Sequence, residues 1–310
     1  MGGFAHQSVL LDEVVAALRP ASGGIYADGT LGGGGHAEAV LERSAPAGRL
    51  VGCDRDAAAL AATADRLARF AGRFQIRQGE FAGLSGWVAA GSCDGVVLDL
   101  GVSSHQLDTA ERGFSFRFDG PLDMRLDPRA GMTAADLVNT APVEELARIF
   151  RDLGEERHAW RAARAMDWER RRSPLRTTRQ LAELMERVAP RGGAGLHPAT
   201  RVFQALRMAV NDELGALQRG LGEVWRLLKP GGRLAVIAFH SGEDRIVKRF
   251  GQELEKDYEV PEGPDIPELR RPRAAQLDWV SRKPIRPGAE ELAVNPRARS
   301  ARLRVMEKRG

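Results

Sequence analysis

The sequence predicts an α/β protein in which a mostly parallel sheet, covered by helices on both faces, is interrupted by a helical insertion. In the first hundred residues, short apolar segments alternate with segments of helical period, the pattern of strands buried on both faces and the helices that bury them. After Leu107 the alternation gives way to charged, helix-patterned sequence broken by Gly and Pro, and from about residue 199 it resumes. A chain of 310 residues accommodates one large α/β domain with an insertion, or two unequal domains.

In chain order, Ser8 is placed to cap a helix reaching Leu18. Residues 24–28 read as a strand, 35–43 as a helix, 49–54 as a strand and 57–70 as an alanine-rich helix. Residues 73–77 and 95–100 supply two more strands. Within the insertion, helical periods cover 134–150, 155–171 and 178–188. One long amphipathic helix is expected over 199–228, followed by the Lys229-Pro-Gly-Gly232 turn, a strand at 233–239 and a helix at 243–255. Two alternating stretches, 276–283 and 301–307, are separated by a Pro-rich link too long for a tight hairpin and are placed to pair antiparallel at the sheet edge. The expected domains are 1–106 and 199–310, two parts of one sheet domain ending in a basic tail, with 107–198 inserted as a helical domain.

No run approaches the roughly 20 apolar residues that span a bilayer, and residues 1–20 lack a basic start followed by a hydrophobic core. The expectation is a cytoplasmic protein with no membrane partner. Cys53 and Cys93 stand alone inside apolar stretches, without a thiol or His at ligand spacing, so they read as small buried strand residues and no metal is expected. The net charge of +4 is unevenly distributed. Residues 270–310 hold 12 Lys+Arg against 4 Asp+Glu, and residues 157–179 hold 8 arginines against Asp167 and Glu169. Such patches fit phosphate binding, with a solvated helix face as the alternative.

Between the first strand and its helix lies Asp28-Gly-Thr-Leu-Gly-Gly-Gly-Gly-His36, at the edge where α/β sheets bind ligands. Four consecutive glycines let backbone approach a ligand, at an entropic cost that a purely structural turn does not require. The next strand ends in Asp54, roughly 20 residues on, where a carboxylate accepts from both ribose hydroxyls of an adenosine-type ligand. Gly32-x-Gly34-x-x-Ala37 also satisfies the dinucleotide pattern, so a nicotinamide dehydrogenase stands as the alternative to a methyltransferase. The Lys229 turn and the antiparallel end of the chain favour the second. Phe81, just after the third strand, is either an adenine neighbour or a core residue. The fourth strand ends in Asp99-Leu-Gly-Val-Ser-Ser-His-Gln-Leu-Asp108, acidic and small polar residues where a methyl acceptor would meet a sulfonium.

Together Asp28 to His36, Leu98-Asp-Leu-Gly-Val-Ser-Ser104, His197-Pro-Ala-Thr-Arg-Val-Phe-Gln-Ala-Leu-Arg207, Ala209-Val-Asn-Asp-Glu-Leu214, Phe239-His-Ser241 with Glu243-Asp-Arg-Ile-Val-Lys248, and Asn295-Pro-Arg-Ala-Arg-Ser300 resemble the bacterial 16S ribosomal RNA cytosine-N4 methyltransferase family. The resemblance runs from about His6 to Lys308. It implies a Rossmann-like class I S-adenosylmethionine-dependent methyltransferase fold, with the inserted helical domain as a substrate-recognition domain. It further implies S-adenosyl-L-methionine as cofactor and 16S ribosomal RNA, within the small ribosomal subunit, as partner, and it leaves a homodimer open. The matching cofactor positions are Gly34, Gly35, His36, Asp54, Phe81, Asp99 and Gln106. The sequence departs from the family pattern at Glu80, where Asn is expected, which puts the adenine pocket in doubt, and at Gly242, where Leu is expected and a looser helix start follows.

Asp99 and His240 are the candidate catalytic groups, although a lone His at a strand end is more often a structural hydrogen bonder, and no general base is assigned. The aromatic that stacks on a target base is sought among Phe114, Phe116, Phe118 and Trp160 of the insertion. Asn211 and Asp212 read as substrate contacts or buried caps.

Overall fold

The computed structural model describes residues 8–129, 131–188 and 197–310. Two compact units emerge, one from Met1–Gly101 with Leu214–Gly310 and the other from Val102–Glu213. The sheet unit begins with α1 (Leu11–Leu18), β1 (Ile25–Asp28), α2 (Gly35–Arg43), β2 (Arg49–Asp54), α3 (Ala57–Leu67), β3 (Phe74–Gln78) and β4 (Cys93–Asp99). The helical unit holds α4 (Ser104–Asp108), α5 (Ala134–Thr140), α6 (Val143–Asp152), α7 (Ala159–Arg170), α8 (Thr178–Val188) and α9 (Thr200–Val210). The chain returns through α10 (Glu213–Leu227), β5 (Leu228–Ala238), α11 (Ser241–Glu255), a short ribbon of β6 (Tyr258–Glu259) and β7 (Arg271–Pro272), β8 (Leu277–Trp279), α12 (Ala289–Val294) and β9 (Arg302–Lys308).

The main sheet runs in the order β3-β2-β1-β4-β5-β9-β8. Its first five strands are parallel, β9 is antiparallel to β5, and β8 is antiparallel to β9. The two alternating C-terminal stretches therefore do meet at the sheet edge. The sheet is thus mostly parallel with one reversed strand next to its edge, as the sequence predicts. Side chains alternate between the faces. Val97, Ala235 and Ile237 pack with α1 and α2 residues such as Leu18 and Leu41, whereas Val96, Leu98, Leu234 and Val236 pack with Leu221, Val224 and Trp225 of α10. Register places Asp28 beside Val97 and Gly52, so β1, β2 and β4 end on one edge in Asp28, Asp54 and Asp99.

Several expectations need correction. Ser8 does not cap α1: the helix starts after Leu10, which lies at φ 53° and donates its N–H to Glu291 Oε1 at 2.8 Å. The helix expected over 134–150 is two, separated at Ala141-Pro142. The helix expected over 199–228 is also two, because Asp212 takes φ 46° and Asn211 turns its side chain onto the helical unit, accepting from Leu126 N at 2.8 Å and donating to Met124 O at 2.7 Å. That break moves the return to the sheet unit from residue 199 to 214, since Val202, Phe203 and Leu206 of α9 are buried in the helical unit's own core. At the other end, the boundary falls after Gly101 and not after Gln106. The basic tail supplies β8 and β9 to the sheet.

Candidate active site

The glycine loop leaves β1 tied to its neighbours. Gly29 N donates to Val97 O at 3.0 Å and Leu31 N to Cys53 O at 3.2 Å. Gly34, at φ 77°, is the residue before α2, and a Cβ there would sit 3.1 Å from the Thr63 side chain. A side chain at this position would thus be both strained and crowded. Asp54 organises the same loop: Oδ2 accepts from Gly32 N and Oδ1 from Asp56 N, both at 2.8 Å. Thr63 Oγ1 completes the anchorage by donating to Gly32 O at 3.0 Å. Gly35 is held against Ser8, which lies where its Cβ would be.

His36, in the first turn of α2, is buried, with Nε2 3.0 Å from Val9 O. A carbonyl only accepts, so Nε2 carries the proton and Nδ1 faces Asp99 Oδ2 at 3.8 Å. Asp99 N donates to Thr30 Oγ1 at 2.6 Å, while Asp99 Oδ1 is buried with no hydrogen-bond partner among the described residues. Burial, then the charges of Asp28 and Glu243, push the Asp99 carboxyl well above the usual carboxylate range. Asp28 is raised to about 7 by burial, opposed by the Thr30 N–H and reinforced by Asp54. Burial raises Asp54 as well, against the Asp56 and Gly32 N–H groups. This edge is therefore a concentration of incompletely neutralised carboxylates, a setting that favours a cationic ligand.

Phe81 opens a short 3₁₀ turn with its ring edge against Gly220 of α10, where no Cβ would fit, and its Cβ against Gly29. It is thus partly core, packed on the cluster that lines this sheet face. His240 caps α11: its Nδ1 accepts from Gly242 N at 3.1 Å, and Glu243 Oε2 reaches back to the N–H groups of His240 and Phe239 at 3.0 and 2.9 Å. Gly242 consequently does not loosen the helix start. Glu80 pairs with Arg55 at 3.6 Å. The structure brings Gly34, Gly35, His36, Asp54, Phe81 and Asp99 together in the sheet unit, along the end of β1, β2 and β4. Gln106 belongs to the helical unit, buried, with its Oε1 accepting from Ser103 N at 2.9 Å in a capping box.

Among the aromatics sought in the insertion, Phe114 is core, Phe116 stacks on His197 at 4.5 Å, and Phe118 and Trp160 are exposed. Asn211 is a buried structural residue. Sequence reasoning missed Glu243 and Trp168. The first stood in the block Glu243 to Lys248 without a role, three residues after a helix-capping position, and the second was visible only by its eight-residue spacing from Trp160. Cys53 and Cys93 are free and buried, and no cluster of metal-ligating side chains occurs among the described residues. No helix among those residues is long and apolar enough to cross a membrane.

The profile of the MraW methylase family matches residues 3–309. This chain belongs to the MraW methylase family. It is 52% identical over 310 residues to ribosomal RNA small subunit methyltransferase H of Syntrophotalea carbinolica, covering 98% of each chain. It is 51% identical over 313 residues to the protein of that name from a Geobacter species, covering 99% of this chain and all of the other. The counterpart in Magnetococcus marinus is 51% identical over 311 residues, covering 98% and 99%. For a member of the MraW methylase family, the dinucleotide reading of Gly32 to Ala37 falls away, and the glycine loop with its carboxylates belongs to a methylase.

Proposed function

We propose that this chain transfers a methyl group from S-adenosylmethionine to the exocyclic N4 amine of a cytidine in 16S ribosomal RNA of the small subunit. Asp99 carries the reading. An unsatisfied buried acceptor costs about 1–3 kcal/mol, and Asp99 Oδ1 is one, set among Asp28 and Glu243. The hydrogens of an amine, or a cation at the methionine end of the cofactor, would relieve both the missing hydrogen bond and the repulsion. The rest of the edge also fits the cofactor. Gly34, Gly35 and His36 offer close backbone approach. Each carboxylate oxygen of Asp54 already accepts one N–H and retains a lone pair for a ribose hydroxyl. Phe81 offers the ring for adenine.

When bound, the cofactor supplies a methyl group on a cationic sulfur, transferred by in-line displacement, so alignment and exclusion of water carry the rate. The N4 lone pair is delocalised into the cytosine ring. Asp99 Oδ1, accepting an N–H, draws the amine hydrogens and concentrates that lone pair on nitrogen. His36, pinned through Nε2, packs beside the other oxygen of Asp99, with Nδ1 3.8 Å away. The same carboxylate takes the proton that the methylated nitrogen sheds. His240 fixes the start of α11 beside this edge.

The test is transfer of labelled methyl from S-adenosylmethionine to small-subunit ribosomal RNA, followed by mass analysis of the nucleosides, with N4-methylcytidine expected. Label in another nucleoside, or in none, overturns the reading. Asp99→Asn, which keeps volume but removes charge, should slow single-turnover transfer at saturating cofactor by roughly 10²-fold or more. An unchanged rate removes Asp99 from the reacting atoms.

A further inference from the structure

We infer that the outward face of α7 is a docking surface for unpaired RNA, its bases stacking on Trp160 and Trp168 and its phosphates meeting the arginines between and beside them. The inference rests on the proposed RNA methylation and names a surface by which the substrate is held.

The helix is inverted relative to ordinary partition. It buries Ala159, Ala162, Ala163 and Met166 and leaves Trp160 52% and Trp168 58% exposed. Large aromatics outside and alanines inside is the reverse of what burial alone selects. At 3.6 residues per turn, Trp160, Arg161, Arg164 and Trp168 fall within a sector of about 100°, with the two rings about 12 Å apart along the axis. Among the described residues no carboxylate pairs with Arg161 or Arg164. Arg172 lies over the Trp168 ring at 4.6 Å and steadies it. Arg171 is exposed while it pairs with Asp167 at 2.8 Å.

Exposed aromatic platforms interleaved with unpaired guanidinium groups match single-stranded nucleic acid, whose bases present π-faces and whose backbone is anionic. A second copy of the chain fits poorly. A two-fold contact through this face would bring the arginines of both copies together, with Asp167 and Glu169 already engaged by Arg170, Arg171 and Arg187.

The test uses the full chain, a fluorescein-labelled single-stranded RNA oligonucleotide and the same oligonucleotide annealed to its complement, read by fluorescence anisotropy across salt. The single strand should bind more tightly than the duplex. Trp160→Ala with Trp168→Ala should weaken single-strand binding roughly tenfold or more, the scale of lost base stacking, with the salt slope retained. Arg161→Gln with Arg164→Gln should instead make the slope shallower by about 1.4, from about 0.7 per single-strand phosphate contact. The two pairs give independent readouts should one fold poorly, and calorimetric binding of S-adenosylmethionine should be unchanged in both. Wild-type affinity and slope in both pairs overturn the surface, as does equal affinity for the duplex. Intact RNA affinity with an altered sedimentation coefficient in the tryptophan pair would assign the face to a protein contact and overturn it too. A wild-type chain that methylates RNA while the variants bind normally sinks the surface alone. A chain that binds through Trp160 and Trp168 yet transfers no methyl sinks the proposed activity alone.

Discussion

In the C-terminal segment Arg304 donates from Nε and Nη2 to the two carboxylate oxygens of Asp244 at 2.6 and 3.2 Å, and Arg302 reaches the same carboxylate at 3.2 Å. Arg309 forks onto Asp278, and Lys308 donates to Leu228 O at 2.7 Å and Trp225 O at 3.3 Å. On α7, by contrast, Arg161 and Arg164 stand in solvent without a carboxylate partner among the described residues. Both regions are arginine-rich in sequence, yet one holds a sheet together and the other leaves charge available. Partners decide which, and the tail's decisive partner, Asp244, lies 60 residues from Arg304. A local count of charges measures composition and cannot measure availability.

The largest effect should come from breaking the buried pair. Arg304→Met keeps an apolar stem of similar reach but leaves Asp244 with one weaker partner, and removing one member of a buried pair costs about 3–5 kcal/mol. Burial raises the Asp244 carboxyl, but the hydrogen bond and charge of Arg304, then those of Arg302, outweigh it and hold the group below the ordinary range. A folded value below the unfolded one contributes stability that is present above the unfolded pKa, roughly 3.9. That contribution is lost as pH falls through the folded value. Denaturant melts of wild type and variant should therefore differ most at neutral pH and converge in acid. A variant as stable as wild type at pH 7 would erase the contrast between tail and helix.

The sheet was legible because its strands keep an apolar pattern bounded by Gly, Pro and Asp, and the glycine loop was legible because four glycines in a row have few purposes. Asp54 and Asp99 followed from their places at strand ends. What sequence concealed was of another kind. The break at Asn211 carries neither Gly nor Pro and depends on an Asn side chain bonding to Met124 and Leu126, some 85 residues away. The edge carboxylate Glu243 reads as an ordinary helix residue until its reach back to Phe239 is seen. On α7, helical period alone assigns the tryptophans to the core, and only the packing of Ala162, Ala163 and Met166 reveals which face is turned inward.

Arg170 is the exception that sharpens the contrast, because it sits in the Arg170-Arg171-Arg172 run yet behaves like a tail arginine. Its Nη1 donates to Val138 O at 2.9 Å and Ala141 O at 2.7 Å, closing the C-terminal end of α5, and Nη2 donates to Asp167 at 2.8 Å. Hydrogen bonds to a charged group contribute about 1.5–3 kcal/mol, so Arg170→Ala should destabilise by about 2–3 kcal/mol. Arg171→Ala, at a side chain 75% exposed, should move the midpoint little. Neutralising all three arginines together would thus confound RNA binding with unfolding. Equal melting of Arg170→Ala and Arg171→Ala would return Arg170 to the solvated face.

The smallest effect is the most discriminating. If the free face of α7 contributes nothing to folding, Arg161→Gln and Arg164→Gln should each leave stability within about 0.5 kcal/mol of wild type, the ordinary scale for surface changes away from special features. Glutamine preserves most of the aliphatic stem, so packing of the side chain over the helix is not what the substitution removes. A midpoint lowered by more would mean that these guanidinium groups have structural work after all and that α7 resembles the tail. A midpoint slightly raised is equally informative, since Arg161 and Arg164 repel one another on α7 and relieving like charges three residues apart on a helix stabilises by about 0.2–0.5 kcal/mol. Chemical melts of the single variants at low and high salt separate these cases, because repulsion fades within a Debye length of about 10 Å at 0.1 M salt, whereas loss of a structural contact persists.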